Sequence, residues 1–554
     1  MITFHNMSIS VPFSLDKVKT EIKRKLKMLH VSNELDFESA AKSLKIIRKS
    51  LDSRRGHEIH FVVSAAIELG EKIEKSILSK IKDQSVTETK IKLYEFPYTF
   101  EKEIKDEERP VVIGSGPAGY FAALVLARAG FMPIVYERGK CVEERSLDVE
   151  TFWNQEGPLD PESNVSFGEG GAGTFSDGKL FTGNKDKYGQ IRYMLEAFHK
   201  FGAPEAILYE AKPHIGTDVL KEVMKNMRSE IIRLGGEVHF SARLDDLVKT
   251  EAGEGYRLSF TDVSTHTNFF REARSVILAI GHSARDTFQM LCDRSFQMEQ
   301  KPFAVGLRVE HPREWIDHSQ YSGEKYDGIL PAADYKLTYH AKNGRDVFSF
   351  CMCPGGYVVN ASSDPMSMVV NGMSYSDRCG KNSNSALVVG VTPKDYPGDA
   401  PMDAVKFQQD LEKKFYEAGN NGKIPVQRYE DFKEGRKTNA LGKVSPQIKG
   451  DYILSDMSEC FPDTIRDAIL EAMPDFGRKI KGFDDPDTVF SGVESRTSSP
   501  VKIVRGDDFS AVGYPGVFLS GEGAGYAGGI TSAAVDGIRA AAMLAEYYKK
   551  LGMY

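Results

Sequence analysis

Cysteine is scarce in this sequence: six residues, at positions 141, 292, 351, 353, 379 and 460, are spread over 554 positions. So few cannot staple a chain of this length, which excludes a disulfide-framed secreted scaffold and predicts a reducing, cytoplasmic setting. Long hydrophobic runs are also missing. No stretch reaches the roughly 18 uninterrupted apolar residues needed to cross a bilayer, and the most apolar segment, Val111–Ala127, is broken by Gly114, Gly116, Pro117 and Gly119. The opening from Met1 has no basic stretch leading into an apolar run and no small-residue cleavage signal, so no secretory leader and no membrane partner are expected. Charge of one sign is lacking too. With 72 basic and 79 acidic residues the formal charge is −7, which gives no basic field to hold nucleic acid or an anionic membrane as the main partner. No repeat of fixed period and no low-complexity tract is present. A small-molecule site is the remaining expectation.

The length predicts two or three domains. Residues 1–105 read as a small α/β domain: an opening strand, a Lys/Arg-rich helix over Leu15–Leu29, a second helix over Glu38–Lys49, and the apolar run Ile59–Ile67. Up to Arg109 the chain holds 21 basic and 18 acidic residues, a slight excess that reads as a solvated helix face, with an RNA or partner surface as the alternative. Glu101–Arg109 is charged, lacks an apolar face and reads as a linker. From Val111 to His282 strands alternate with helices, the pattern of a doubly wound α/β sheet. Residues 301–487 shift toward alternating strands with one helix near Met402–Glu417. The α/β pattern returns at Gly516–Ser520 and closes with an Ala-rich helix over Thr531–Lys549.

The spacing G-x-G-x-x-G occurs three times, at Gly114-Gly116-Gly119, Gly168-Gly170-Gly173 and Gly523-Gly525-Gly528, so spacing alone does not choose among them. Context does. Only the first follows an apolar strand, opens a long apolar helix and leads to a second strand ending in an acid, Pro133-Ile-Val-Tyr-Glu137. There Gly114 permits a tight turn, Gly116 admits a pyrophosphate against the backbone, and Gly119 lets helix and strand approach. The neighbouring Ser115, Pro117 and Ala118 put the helix N-terminus beside the phosphates, Glu137 is assigned to the adenosine ribose hydroxyls, and Arg138 follows it. The third hit leaves no room before Tyr554 for a second strand with its own acid.

Read as Gly516-Val-Phe-Leu-Ser-Gly521-Glu522-Gly, that third segment resembles the second flavin-binding motif of the glutathione-reductase-like superfamily. There an apolar strand delivers an acid to the ribityl chain. Gly528-Gly529-Ile530 then begins a helix whose positive end faces the flavin N1/O2 region, and Ser275-Val-Ile-Leu-Ala279-Ile-Gly281-His resembles the superfamily strand that passes near the flavin. The run Ser163–Leu180, Cys351-Met-Cys-Pro-Gly-Gly-Tyr357, Glu494-Ser-Arg-Thr-Ser-Ser-Pro500 and Gly521–Ile530 together are similar to the bacterial family of FAD-dependent, or NAD(FAD)-utilising, dehydrogenases, across nearly the whole chain.

That resemblance implies a Rossmann-like FAD-binding domain (106–300 and 488–554) with a strand-rich inserted substrate domain (301–487). The implied cofactor is non-covalent FAD, with NAD(P)H an open candidate as reductant. It further implies that Gly170, Gly171, Ala172, Gly173 and Thr174 cover the FAD phosphates with Ser176 and Lys179 close by, and that Leu244 lies near the adenine. The second complete dinucleotide unit and the N-terminal redox Cys pair of the disulfide reductases are absent.

The function expected is an oxidoreductase moving hydride between flavin N5 and an organic substrate. The alternative is a flavin-dependent binding or RNA-linked protein. No metal ligand, general acid or general base is assigned. Candidates near the chemistry are Cys351, Cys353, Arg496 and His214. Cys351 and Cys353, read as i and i+2 on one strand face, stand too far apart for a mutual disulfide. Before the helix that follows His214, Thr217 or Asp218 is expected to cap. Arg496 reads either as an anion-binding group or as a surface ion pair.

Overall fold

The computed structural model describes residues 1–553 except 31–35, 55, 82, 103 and 252. Glu103 of the charged linker therefore lies outside the described residues. The chain divides into two compact units.

The first unit comprises residues 1–94, 185–214 and 317–333. Its four-stranded antiparallel sheet runs Lys45–Asp52, His60–Ile67, Ile2–Ser10, Val86–Glu88 in spatial order. The helix Leu15–Met28 buries Val18, Ile22 and Leu26 at i, i+4 and i+8, and Ser14 caps it by accepting from the Lys17 N–H at 3.3 Å. The helix expected over Glu38–Lys49 is largely absent: one short turn, Phe37–Ala40, leads into the strand Lys45–Asp52. Ile46, Ile47 and Leu51 in that run are β-branched or paired across the sheet, and cross-strand pairing to His60–Ile67 outweighs the helical spacing of the lysines. Its other edge is not left open. Lys49 N–H donates to the Tyr209 carbonyl and Ala211 N–H donates to the Lys49 carbonyl, both at 2.8 Å, and Lys49 Nζ meets Glu210 at 2.8 Å. Residues 185–214 thus belong with the N-terminal sheet, where their pairing covers an edge strand.

The second unit comprises residues 95–184, 215–316 and 334–554. Its six-stranded sheet has the order Ser510–Ala511, Tyr514–Leu519, Val276–Leu278, Val111–Ile113, Ile134–Tyr136, Glu237–His239, with all but the Ser510 edge strand parallel. Parallel strands buried on both faces read as continuous apolar runs, and Val111, Val112, Ile134, Val135, Val276 and Ile277 have no exposure. On one face lie the helices Pro117–Arg128 and Ile530–Lys550, in contact over much of their length. Their closeness depends on glycine, since a Cβ on Gly537 would sit 2.0 Å from the Ala118 carbonyl oxygen.

A seven-stranded, mostly antiparallel sheet forms the second layer, in the order Thr338–His340, Asp346–Cys353, Asn382–Val391, Phe303–Pro312, Val489–Glu494, Ile424–Arg428, Tyr452–Leu454. A three-stranded sheet, Val370–Met373, Tyr357–Asn360, Ile448–Lys449, packs near it. The strand Val489–Glu494, beyond residue 487, completes this second layer, and the chain rejoins the parallel sheet only at Tyr514–Leu519.

Candidate functional site

Within the second unit one cavity of about 290 Å³ runs from the carboxyl ends of the parallel strands to the seven-stranded sheet. Ligands of open α/β sheets bind at that end. Gly114 has φ +98°, and a Cβ there would lie 2.4 Å from the Ala279 carbonyl oxygen; a Cβ on Gly119 would lie 1.9 Å from the Gly114 carbonyl oxygen. Gly114 lets the turn pass against the chain leaving the neighbouring strand Val276–Leu278, and Gly119 lets the helix close up on the turn. Gly116 differs: a Cβ there would meet only Gly171 Cα, at 3.9 Å. No side chain caps the helix it begins, so the first-turn N–H groups have no side-chain acceptor at the end where Gly116, Pro117 and Ala118 line the cavity. Gly281 (φ +70°) and Gly529 (φ +78°) have nothing within 4 Å of a Cβ position, and the helix after Gly529 also lacks a side-chain cap. Two uncapped helix ends and backbone free of side chains therefore meet one cavity, a cradle that suits a long, anionic dinucleotide.

Glu137, assigned from sequence to ribose, is 5% exposed and already accepts four protein donors. Ser115 N–H and Oγ–H each approach one oxygen at 2.8 Å, and the N–H groups of Gly139 and Gly168 approach the other at 3.0 Å. A carboxylate has about four lone-pair sites, so Glu137 ties the Gly114 turn to two loops and a ribose hydroxyl would share an oxygen with them. Arg138 lies over the Phe167 ring at 4.4 Å and pairs with Glu162 at 3.2 Å and with Asp286. With Leu244 and Arg243 it lines the same end of the cavity.

The glycine loop is held by a residue that the sequence reading missed. Arg145 is fully buried and donates to the carbonyls of Asn164 (2.7 Å), Val165 (2.9 Å), Glu169 (2.6 Å) and Gly171 (3.0 Å). Burial lowers its guanidinium pKa to about 10, against the pull of Glu137 and Glu169. Gly170 and Thr174 pack behind the loop: a Cβ on Gly170 would meet Thr174 Oγ1 at 2.1 Å, and the Thr174 hydroxyl donates to the Glu169 carbonyl. Gly171, Ala172, Gly173 and Ser176 line the cavity, and Gly173 faces Ile530.

At the Gly521 end, Gly521 N–H donates to Asp536 at 2.8 Å, and Arg505 pairs with the same carboxylate at 2.8 Å. Glu522 lines the cavity with its carboxylate 3.3 Å from His282 Nδ1. His282, the residue after Gly281, also lines the cavity and is the most direct acid–base candidate absent from the sequence assignments.

The inner end lies against the seven-stranded sheet. Cys351, Cys353, Lys179, Asn371, Glu494 and Arg496 all line it. All six cysteines are free. The simple strand expected at Cys351–Cys353 is instead a bulge: the ladder shifts register between Phe350 and Cys353, and Cys351 adopts φ +42°. Two cations hold the bulge by its carbonyls, Arg308 Nη1 on Cys351 at 2.7 Å and Lys179 Nζ on Met352. Cys351 is exposed, but to the cavity, and burial among protein atoms pushes its thiol up to about 12.

Burial raises Asp177, yet Lys179, 3.0 Å away, and Arg378 outweigh it and leave it below the ordinary carboxylate range. Burial raises Glu494, and Arg308 at 3.1 Å only partly offsets that. Arg496 is not a surface residue: its side chain is 6% exposed and bonded to Glu412 and Asp364. His214 does not line the cavity, and the expected cap after it is absent, because the Thr217 hydroxyl donates to the Thr174 carbonyl and Asp218 accepts from Ser376. Among the described residues no group of three or more His, Cys, Asp or Glu is placed to hold a metal, and no helix is long and apolar enough to cross a membrane.

A parallel sheet with a glycine turn and two uncapped helix ends on one cavity is the Rossmann-type arrangement. Residues 302–497 match the family model described as FAD-dependent protein, C-terminal domain-like. The chain belongs to the same family as a Clostridium beijerinckii protein, itself described only as uncharacterized, with 44% identity over 99% of both chains. Among solved structures it is similar to a flavoprotein/dehydrogenase from Cytophaga hutchinsonii (12% identity, 80% of this chain and 79% of that one, TM-score 0.36). A second is the glycerol-3-phosphate dehydrogenase from Bacillus halodurans complexed with FAD (9%, 81% and 66%, TM-score 0.34).

Proposed function

We propose that the protein is an FAD-dependent oxidoreductase whose organic substrate enters the inner end of the cavity. The observation that carries this reading is the single cavity joining the Gly114–Gly119 turn, the Gly171–Gly173 loop and the Gly521–Ile530 segment. When bound, FAD supplies hydride exchange at N5. The Pro117 and Ile530 helix ends would hold, respectively, the pyrophosphate and the pyrimidine side of the flavin ring. Arg138 and Leu244 would flank the adenine, and Glu137 would fix the loops around the ribose. His282, oriented by Glu522, is positioned to hold or release a proton at Nε2. NADH or NADPH would reach the cavity as a transient reductant, since the described residues form one parallel sheet with a glycine turn.

The decisive experiment is chromatography of the cofactor released on denaturation, followed by anaerobic reduction with NADH and with NADPH. FAD is expected. FMN, or a colourless protein that does not take up added FAD, overturns the reading. Gly116→Val should abolish FAD retention, because the branched side chain would occupy the open space beside Gly171. Full FAD occupancy in that variant would show that the phosphates lie elsewhere.

A further inference from the structure

The face of the seven-stranded sheet turned toward the cavity is unusually polar for a sheet core. Arg308 and Glu310 alternate onto one face of the strand Phe303–Pro312. Directly across from them stand Asn384, opposite Glu310, and Ser491, opposite Arg308, while Glu494 is opposite Gly306 and Cys353 opposite Asn384. Opposed residues of an antiparallel ladder share a face. Arg308, Glu310, Asn384 and Ser491 have no exposure, and Glu494 only 3%.

Four atoms in this group have no protein partner: Glu310 Oε1, both Asn384 amide atoms and Ser491 Oγ. Buried polar atoms are nearly always bonded, and internal water, typically making about three bonds to such groups, is what would satisfy four of them on one face. The other Glu310 oxygen is fixed, accepting from Asn382 Nδ2 at 3.0 Å and from Gln447 N–H at 2.9 Å.

This polar face adjoins the cavity. Gly372 lines the cavity, and a Cβ there would lie 2.7 Å from both Arg308 Cζ and Asn384 Oδ1, so a glycine backbone is what stands between Asn384 and the cavity. Arg308 reaches the cavity side, donating to Glu494 (3.1 Å), to the Cys351 carbonyl (2.7 Å) and to Asn371 (3.0 Å), three residues that line the cavity.

We propose that Glu310 is a proton-storing residue, joined by internal water held between Asn384 and Ser491 to Arg308, Glu494 and the reaction cavity. Its carboxylic acid would give a proton through the water to an anion developing in the cavity. That leaves a carboxylate beside Arg308 and a neutral acceptor, and the store refills with one proton from solvent. The neighbours that face Glu310 fit this role. From its own strand comes the Arg308 cation; from Asn382–Val391, neutral Asn382 and Asn384; from Val489–Glu494, neutral Ser491 and the Glu494 carboxyl; from Asp346–Cys353, Cys353, whose thiol burial raises. Gln447 contributes a backbone N–H. Burial lifts the Glu310 acid to about 7, with Asn382, Gln447 and Arg308 opposing, which suits exchange near neutrality.

This role rests on the oxidoreductase reading, but its first test does not. Infrared spectra of the purified protein, taken across pH in H2O and D2O, should contain a buried carboxyl stretch that titrates near neutrality and vanishes in Glu310→Gln. Ser491→Ala, which removes one water anchor and leaves the charge pattern intact, should move the midpoint upward. Absence of the band, or its persistence in Glu310→Gln, overturns the proposal even if FAD is bound. A protein without FAD defeats the functional reading alone. With flavin present, a pH-indicator dye should record fewer protons taken up on dithionite reduction in Glu310→Gln than in wild type, and equal uptake overturns the coupling to the cavity. A high-resolution crystal structure should contain water between Glu310 Oε1, Asn384 and Ser491, and its absence there overturns the conduit.

Discussion

Two adjacent residues with opposite titration behaviour should flatten the acid stability profile. Glu310 and His311 lie on opposite faces of one strand and neither is exposed. His311 meets the Phe483 carbonyl through Nε2 at 2.8 Å, and burial lowers its pKa to about 4. In the unfolded chain it binds a proton from its ordinary value of 6.5 downward. Between pH 6.5 and 4 the unfolded state thus holds more protons, and stability falls as pH falls. Glu310 has the reverse sign. Its folded value is about 7 against 4.5 unfolded, so the folded state holds more protons between those values and stability falls as pH rises. Each window corresponds to about 3 kcal/mol, and over the shared range the two contributions nearly cancel. Replacing Glu310 by Gln keeps the neutral form and removes one side of the balance. Urea titrations from pH 4 to 7 should then give a stability that climbs by about 3 kcal/mol toward neutrality in Glu310→Gln and changes much less in wild type. Parallel curves would mean that one of the two groups is not buried as described.

At the scale of elements, the least legible feature in the sequence is the charge cluster that joins the two layers. Arg285 begins one helix, Glu412 lies in the helix Pro401–Ala418, and Arg496 follows the strand Val489–Glu494. Arg285 holds both Glu412 oxygens at 2.7 and 2.8 Å, Arg496 approaches each at 3.1 Å, and Asp364 meets both arginines at 2.8 Å. Burial would raise Glu412, but the two guanidiniums outweigh it and hold its carboxyl far below the usual range. Glu412→Gln would leave two buried cations sharing one carboxylate. We expect a loss of about 3–5 kcal/mol, read as a lowered urea midpoint with unchanged slope. A change under about 1 kcal/mol would show that the cluster is wet and loose.

The contrast with the glycine turn explains what could be read in advance. Gly114, Gly116, Gly119 and Glu137 fall within one βαβ unit, where spacing and apolar periodicity are local signals. Arg285 and Glu412 are 127 positions apart, and Arg308 and Glu494 are 186 apart. Without the fold, each is one charged residue among many. His282 is not legible in advance because a strand-end histidine has no distinguishing spacing, nor is Arg145, because its partners are backbone carbonyls, which sequence does not mark. The helix expected at Glu38–Lys49 failed for a related reason: lysines at helical spacing also fit an exposed strand face.

At the scale of the whole chain, the N-terminal region is not cut off cleanly at residue 105. The first unit draws in residues 185–214 and 317–333, which are flanked on both sides by sequence of the second unit. Tyr94 and Tyr193 pack edge to face at 5.6 Å, Lys92 Nζ donates to the Lys187 carbonyl at 2.9 Å, and residues 209–211 pair with the strand Lys45–Asp52. The helix Gln190–Lys200 buries Met194, Ala197 and Phe198. A fragment beginning at Glu95 would keep every cavity-lining residue, since the first of them is Ile113, but would leave the 185–214 segment without the sheet it completes. Such a fragment should retain one FAD per chain when refolded or expressed with riboflavin, yet elute from gel filtration as higher-order species, because exposed apolar and unpaired backbone surface promotes association. Replacing 185–214 with a short Gly/Ser linker in that fragment should restore a monodisperse peak if the bared segment is the cause. If the fragment from Glu95 is already monodisperse, the 209–211 pairing contributes little. If it is monodisperse and free of FAD, the first unit is needed to form the cavity, and the division of labour argued from residues 95–554 fails.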